Sequence, residues 1–226
     1  MKKVLVIAAH PDDEVLGMGG TIAKMVAEGA VVDLLIVTDG STAQYRDSHK
    51  IFDIIKEKKA ETRASCDILG IRDVYYGNLP DMKLDVTPHI QVNGVIEKAI
   101  DMLKPEVVFT HFWGDLNMDH QCVYRSTLVA VRPIAEQCVK EIFCYSVPSS
   151  TEWMPNVSSV TFMPNVYVDI SDYAEQKYRA FSAYKTEMRP FPHPRSVEYL
   201  RRGDCTNGLQ VGLSCSERFV QLRRFL

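Results

Sequence analysis

Along the first half of the chain, continuous apolar runs alternate with segments carrying an apolar residue every third or fourth position. This predicts strand-helix-strand units around a parallel sheet. Residues 4–9 form a run of the kind buried on both faces of such a sheet, and 31–37 form a second. Between them, 17–29 reads as a helix with Ile22, Met25 and Val26 on one side and Gly29 as its stop. A loop over 38–42 leads to a long polar helix over 48–69, whose apolar face includes Ile51, Ile54, Ile55 and Leu69 and which Gly70 closes. A short third strand follows at 73–76, then a helix over 90–103 with Pro105 at its exit, and a fourth strand at 106–110. A helix over 119–137, a strand at 141–146, a further short strand at 165–169 and a helix over 172–186 continue the pattern. The proline-rich stretch 189–196 is incompatible with regular helix.

The expected fold is an α/β, single-domain, Rossmann-like doubly wound, mostly parallel sheet with helices on both faces. No repeat, linker or low-complexity segment interrupts 1–226, which reads as one domain. Open sheets of this kind bind ligands beyond the carboxyl ends of the strands, where the strand order reverses. A 3-2-1-4-5 order makes the loops after Ala9 and Thr110 neighbours, and both are polar.

Composition narrows the partners. The chain has 226 residues, 46% hydrophobic and 24% charged, which is the mix of a globular protein. A chain this long buries roughly 70% of its unfolded surface, so its core needs neither disulfide nor structural metal, and a metal, if present, serves chemistry. A formal charge of -3 and a pI near 6.1 leave no positive field for a phosphate backbone or an anionic membrane, and no nucleic-acid partner is expected. The six cysteines include no Cys-x-x-Cys pair and read as small buried hydrophobes. The opening MKKVLVIAAH runs into a histidine and two aspartates where a signal peptide would have a small-residue cleavage site. No apolar stretch approaches the roughly 20 residues of a membrane span, so the expected location is cytoplasmic.

The loop after the first strand reads Ala9-His10-Pro11-Asp12-Asp13-Glu14, with Gly17, Gly19 and Gly20 beyond it. An imidazole and two or three carboxylates at the end of a buried strand need compensation, because desolvated charge is costly, and a divalent cation supplies it. Histidine and carboxylate ligands with positions left for water suit Zn2+, and Fe2+ or Mn2+ accepts the same set. The same acids also fit a helix N-terminus stabilised by capping and the macrodipole, so this loop alone leaves both readings open. The glycines are not a dinucleotide fingerprint, since Ile22 stands where the third glycine belongs. The loop after the fourth strand holds His111, Phe112, Trp113, Gly114, Asp115, Asn117, Asp119 and His120. One such histidine would be unremarkable, but two polar clusters converging on one crevice favour a site.

The Ala-His-Pro-Asp-Asp-Glu motif after a first strand, followed far downstream by Asp119-His120 at a helix start, resembles the PIG-L/LmbE family of metal-dependent de-N-acetylases. The resemblance extends to Thr38-Asp39-Gly40, the helix pattern from Glu61 to Leu69-Gly70, and His193-Pro194-Arg195-Ser196, which is similar to the bacterial branch. It implies that His10, Asp13 and His120 are metal ligands, that Asp12 is the general base, and that Asp119 orients a neighbouring histidine. It implies a zinc-dependent hydrolase that removes the acetyl group from an N-acetylated amino sugar or sugar conjugate. A small-molecule substrate and a homo-oligomer follow from the same resemblance. The family pattern has a histidine where this chain has Asn117, which can donate a hydrogen bond to an oxyanion and cannot deliver a proton. His193, His111 and Asp12 itself are the candidates for that proton, with His193 preferred over His111.

Arg195 is a candidate for a substrate oxygen or phosphate, with a surface salt bridge as the other reading. Trp113 offers a face for a sugar ring or packs within its loop, and Asp39 holds a sugar hydroxyl or shapes its Asp-Gly turn. Glu14 reads as a helix-start charge, Lys185 and Arg189 as solvent-facing cations, and His49 and His89 as exposed. Two alternatives to sugar deacetylation stand: an amidase acting on a non-sugar N-acyl group, and a non-catalytic ligand-binding protein of the same fold.

Overall fold

A computed structural model describes residues 1–41 and 51–225. Its strands are β1 (Lys3–Ala8), β2 (Val31–Thr38), β3 (Val74–Leu79), β4 (Val107–His111), β5 (Glu141–Tyr145), β6 (Val166–Asp169) and β7 (Ser216–Arg224). The helices are α1 (Asp13–Ala27), α2 (Ile51–Leu69), α3 (His89–Leu103), α4 (Met118–Ala130), α5 (Ala174–Phe181) and α6 (Val197–Leu209). They build one mixed, mostly parallel sheet in the order β3-β2-β1-β4-β5-β7-β6. The expected 3-2-1-4-5 core is present, and β6 and β7 extend it with antiparallel pairing. No helix among the described residues is long and apolar enough to cross a membrane.

The strand period of two divides the core between the faces of the sheet. Val4, Val6 and Ala8 of β1 join a cluster containing Val15, Ile22, Tyr178 and Phe181, while Leu5, Ile7 and Ala9 join Val92, Ile96 and Val123 on the other face. β1 pairs in parallel with β2 through Val6↔Leu34 and with β4 through Val6↔Phe109. The chain therefore leaves β1 at the reversal of strand order, where two adjacent carboxyl ends open a crevice.

Several boundaries differ from the pattern read in the sequence. The first helix starts at Asp13 rather than 17 and is broken at Met18 (φ -155°, ψ 24°). Its second half is capped from outside, because the Glu217 carboxylate accepts hydrogen bonds from Gly20 N (3.0 Å) and Thr21 N (2.6 Å). Gly17 is required by close approach, since a Cβ there would lie 2.4 Å from the Tyr145 ring. The fourth helix stops at Ala130 instead of 137, because Pro133 lacks the N–H that helix continuation needs and restricts Arg132 before it. The helix expected over 172–186 is confined to Ala174–Phe181, beyond which Ser182 Oγ donates to Tyr178 O (2.8 Å) and the chain turns to bring Tyr184 inward. α6, capped by Ser196 Oγ accepting from Tyr199 N (3.2 Å), and β7 were not expected. Part of the loop over 38–42, the start expected at 48 and His49 lie outside the described residues.

Candidate active site

The first half of the site is built where β1 runs into α1. Asp12 takes a left-handed backbone (φ 98°), a conformation costly for a residue with a Cβ. Glu14 holds it there, accepting from Asp12 N (3.2 Å) with one oxygen and from Tyr184 Oη (2.6 Å) with the other. Glu14 is thus a buried brace rather than an exposed helix-start charge, and burial, against the Tyr184 bond, pushes its carboxyl up to about 7.

The second half is the passage from β4 to α4. Asn117 is the N-cap, its Oδ1 accepting from Asp119 N (2.9 Å), while its Nδ2 lies 3.6 Å from the Met82 sulfur. Asp115 accepts from Asn117 N (2.8 Å), Ser150 Oγ and Thr151 Oγ1 (2.6 Å), and pairs with His120 Nδ1 at 3.1 Å. Its burial is outweighed by His120 and these hydroxyls, which hold its carboxyl down at about 2. Asp119 accepts from Met82 N (2.7 Å) and Leu84 N (3.0 Å), tying the 81–84 turn to the site.

These two halves bring His10, Asp13 and His120 together, with one donor atom of each lying within 4.8 Å of the others. Each histidine has an outer nitrogen engaged by carboxylates: His10 Nε2 meets Asp119 and Asp81, both at 3.1 Å, and His120 Nδ1 meets Asp115. The inner nitrogens, His10 Nδ1 and His120 Nε2, lie 3.2 Å apart, and each is 3.4 Å from an Asp13 oxygen. Burial would lower both imidazoles, but the carboxylates outweigh it, pushing His10 well up and His120 up to about 9. Asp13, whose burial is opposed by His120, His111 and His10, is held well below the usual carboxylate range. Beside them Asp12 is fully buried, with no hydrogen bond to either oxygen from a described residue. Its partner is Arg195, whose Nη1 lies 3.3 Å from Asp12 Oδ2, and burial drives the Asp12 carboxyl well up against that cation.

Arg195 is no surface ion pair. Its Nη1 also donates to Glu187 (2.6 Å), which meets the buried Lys58, so a charge ladder runs from α2 to Asp12. His10, Asp12, Lys58, Asp81, Met82, Asn117, Glu187 and Arg195 line a narrow cavity of about 70 Å³. A larger cavity of about 340 Å³ shares no lining residue with it and is bordered by Lys177, Asp204 and Glu217, away from the histidine cluster.

Other expected residues are placed differently. His111 is fully buried behind His120, the rings stacked at 3.9 Å, and its Nε2 accepts from Ala9 N at 2.8 Å. A backbone N–H only donates, so that nitrogen carries no proton, and burial and His120 lower the imidazole to about 4. His193 Nδ1 accepts from Arg195 N (3.0 Å), and burial with Arg195 and Arg189 lowers its imidazole; it does not line the cavity. Trp113, half-buried, packs on Phe112 and Tyr124 and donates to Ser159 O (2.9 Å), the loop contacts of its packing reading. Asp39 accepts from Ser41 N (3.0 Å) and Ser41 Oγ (2.7 Å), shaping the turn at Gly40, whose φ of 67° is left-handed. Arg189 does not simply face solvent, since its Nη1 donates to the carbonyls of Thr186 and Met188. Sequence reasoning missed Asp81, Lys58 and Glu187, none of which had a local signal, and it counted Asp115 in the second polar loop without giving it a role.

A doubly wound sheet with an imidazole-carboxylate cluster at its reversal point defines a class of α/β protein suited to metal-assisted hydrolysis. Residues 5–131 match the PIG-L family model, described as GlcNAc-PI de-N-acetylase, and the chain belongs to this family of de-N-acetylase hydrolases. It is 28% identical over 194 residues to the uncharacterized deacetylase YaiS of Escherichia coli, covering 82% of this chain and 91% of that one. It is 26% identical over 231 residues to diacetylchitobiose deacetylase of Thermococcus kodakarensis, covering 100% of this chain and 84% of that protein. Among solved structures it is similar to the conserved protein TT1542 from Thermus thermophilus, with a TM-score of 0.78, 26% identity, and coverage of 100% of this chain and 97% of that one.

Proposed function

We propose that the protein removes the acetyl group from an N-acetylated amino sugar conjugate in a metal-dependent hydrolysis with Asp12 as the proton-transfer group. The observation that carries this is the meeting of His10 Nδ1, His120 Nε2 and Asp13 beside a buried Asp12 that accepts no hydrogen bond. Buried charges without partners are costly, so this set suits a divalent cation held by His10, Asp13 and His120. Zn2+ fits these ligands well, and Fe2+ or Mn2+ accepts them too. When bound, the ion supplies Lewis acidity and a water of lowered pKa.

The chain's own groups then divide the work. Asp12 takes a proton from the attacking water, and the raised affinity of its buried carboxyl for that proton suits the task. Among the described residues Asn117 Nδ2 faces the Met82 thioether, a weak acceptor, and it can donate to the oxygen where charge develops. With His111 serving as an acceptor and His193 bonded to Arg195 outside the cavity, Asp12 returns the proton to the leaving amine. Arg195 stabilises the carboxylate form that begins the cycle. The amino sugar comes from the relatives, one of which is a diacetylchitobiose deacetylase and another a 1D-myo-inositol 2-acetamido-2-deoxy-alpha-D-glucopyranoside deacetylase.

The test is acetate release from N-acetylglucosamine and N,N'-diacetylchitobiose, with and without chelator. Asp12→Asn is expected to lower turnover by roughly 10²- to 10⁴-fold while metal content stays stoichiometric. Undiminished turnover would remove Asp12 from its role. Retained turnover in the chelated protein would remove the metal.

A further inference from the structure

We propose that Trp153 forms a carbohydrate platform outside the cavity, taking a second sugar ring of the substrate. The inference rests on the amino-sugar reading above and extends it from the reacting unit to its neighbour.

A tryptophan offers a large flat apolar face with a polar N–H at one end, a surface suited to a sugar ring where it stands partly open near a site. Of the two tryptophans, Trp113 is packed within its loop and Trp153 is 52% exposed. Phe191, also half-exposed, is covered by the Arg202 guanidinium at 4.9 Å, whereas Trp153 meets His193 at a ring angle of 79° and 6.1 Å. Two connections fix Trp153 to the reacting centre. His193 Nδ1 accepts from Arg195 N (3.0 Å), and the side chain of that arginine reaches Asp12. Arg195 Nε donates to Ser149 Oγ (3.0 Å), in the turn that leads into the Thr151–Trp153 3₁₀ segment. Ser149 has a left-handed backbone (φ 70°), and Glu152 braces it by accepting from Ser149 N (2.6 Å) and Ser150 N (3.3 Å). Trp153 is therefore linked to Asp12 along two routes that meet at Arg195, one through the His193 ring and one through Ser149.

The cavity beside Asp12 is narrow, which suits an acetamide arm and leaves the sugar at the mouth. A following ring that leans toward Arg195 finds an aromatic face with the His193 imidazole at its edge. That combination recognises a pyranose, through its C–H face and its rim hydroxyls.

The experiment compares N-acetylglucosamine with N,N'-diacetylchitobiose in the wild type, Trp153→Ala and Trp153→Phe. The expected result is a KM for the disaccharide raised roughly 2- to 10-fold in Trp153→Ala, with kcat and the monosaccharide KM unchanged. Trp153→Phe should restore part of the loss. Equal changes for both sugars, or none, would overturn the platform. Titration of N,N'-diacetylchitobiose by tryptophan-selective fluorescence separates this from the amino-sugar reading, because Trp153→Phe leaves Trp113 as the one tryptophan. If neither sugar is hydrolysed by the wild type, an emission change lost in Trp153→Phe sustains the platform while the reading of the reaction fails. No change in the wild type overturns the platform.

Discussion

Two clusters of buried charge lie under the same helix and have opposite characters. Around the second half of α1, Lys177 Nζ meets Asp204 (3.0 Å) and Glu217 (2.8 Å), and Glu217 gives both oxygens to backbone N–H groups. Around its first residues, Asp12 accepts no hydrogen bond and two histidines present inner nitrogens to a shared carboxylate. Both contain acids and cations removed from water, so burial alone does not separate scaffold from site. The difference is completion. The first cluster pairs its one cation with both acids and repairs a broken helix, although Asp204 Oδ2 accepts no hydrogen bond from a described residue, whereas the second leaves its donor atoms converging on a common point.

The strongest way to break this contrast is to remove the central cation of the closed cluster. Lys177→Ala leaves two buried carboxylates without their partner and is expected to destabilise the fold by about 3–5 kcal/mol, measured by urea unfolding. Turnover per folded molecule should be unchanged. A stable variant without activity would assign the two clusters the reverse roles.

A smaller effect tests the same cluster by pH. Burial and Glu217 raise Asp204 to about 6 against the attraction of Lys177, whereas its ordinary value is 3.8. A carboxyl raised on folding contributes stability that is complete below 3.8 and disappears as the pH climbs through about 6. The stability difference between wild type and Asp204→Asn should therefore fall by on the order of 3 kcal/mol across that window. A flat difference would show that Asp204 is charged throughout, and the cluster would need a different electrostatic balance.

The same contrast explains what could be read in the chain. β1, β2 and β4 were legible because central parallel strands are apolar on both faces; His10, Asp12 and Asp13 follow the end of β1 directly, and His120 lies in the first turn of the helix that follows β4. β7 was not, because a strand opening Ser216-Glu217-Arg218 looks exposed until Glu217 is seen capping a helix 197 positions earlier. α6 buries only Leu200, Asp204 and Gly208, too few apolar positions to show a helical period. Lys58 and Glu187 reach the cavity from a polar helix and a turn far apart in sequence, so their pairing exists only in the folded molecule. Trp113 and Trp153 make the same point in reverse, since neither residue type nor loop position tells which face stays open.

Asp115 sharpens the comparison most finely, because it is a closed, fully partnered group standing directly behind an open one. Its carboxylate is held by Asn117 N, Ser150 Oγ and Thr151 Oγ1, and it engages the outer nitrogen of His120. A carboxylate in that position fixes the imidazole tautomer and ring orientation and raises the basicity of the inner nitrogen. Asp115→Asn keeps an acceptor for the 150–151 turn and removes the charge, so the fold is retained while His120 loses its anionic partner. Zinc affinity is expected to drop about 10- to 100-fold, measured by competition with a chromophoric chelator, with a smaller loss of turnover at saturating metal. Because Asp115 is held at about 2, it is anionic at every pH where the protein is assayed, and the defect should persist from pH 6 to 9. Unchanged affinity would mean that His120 is oriented by ring stacking on His111 alone, and the second polar loop would owe its acids to capping.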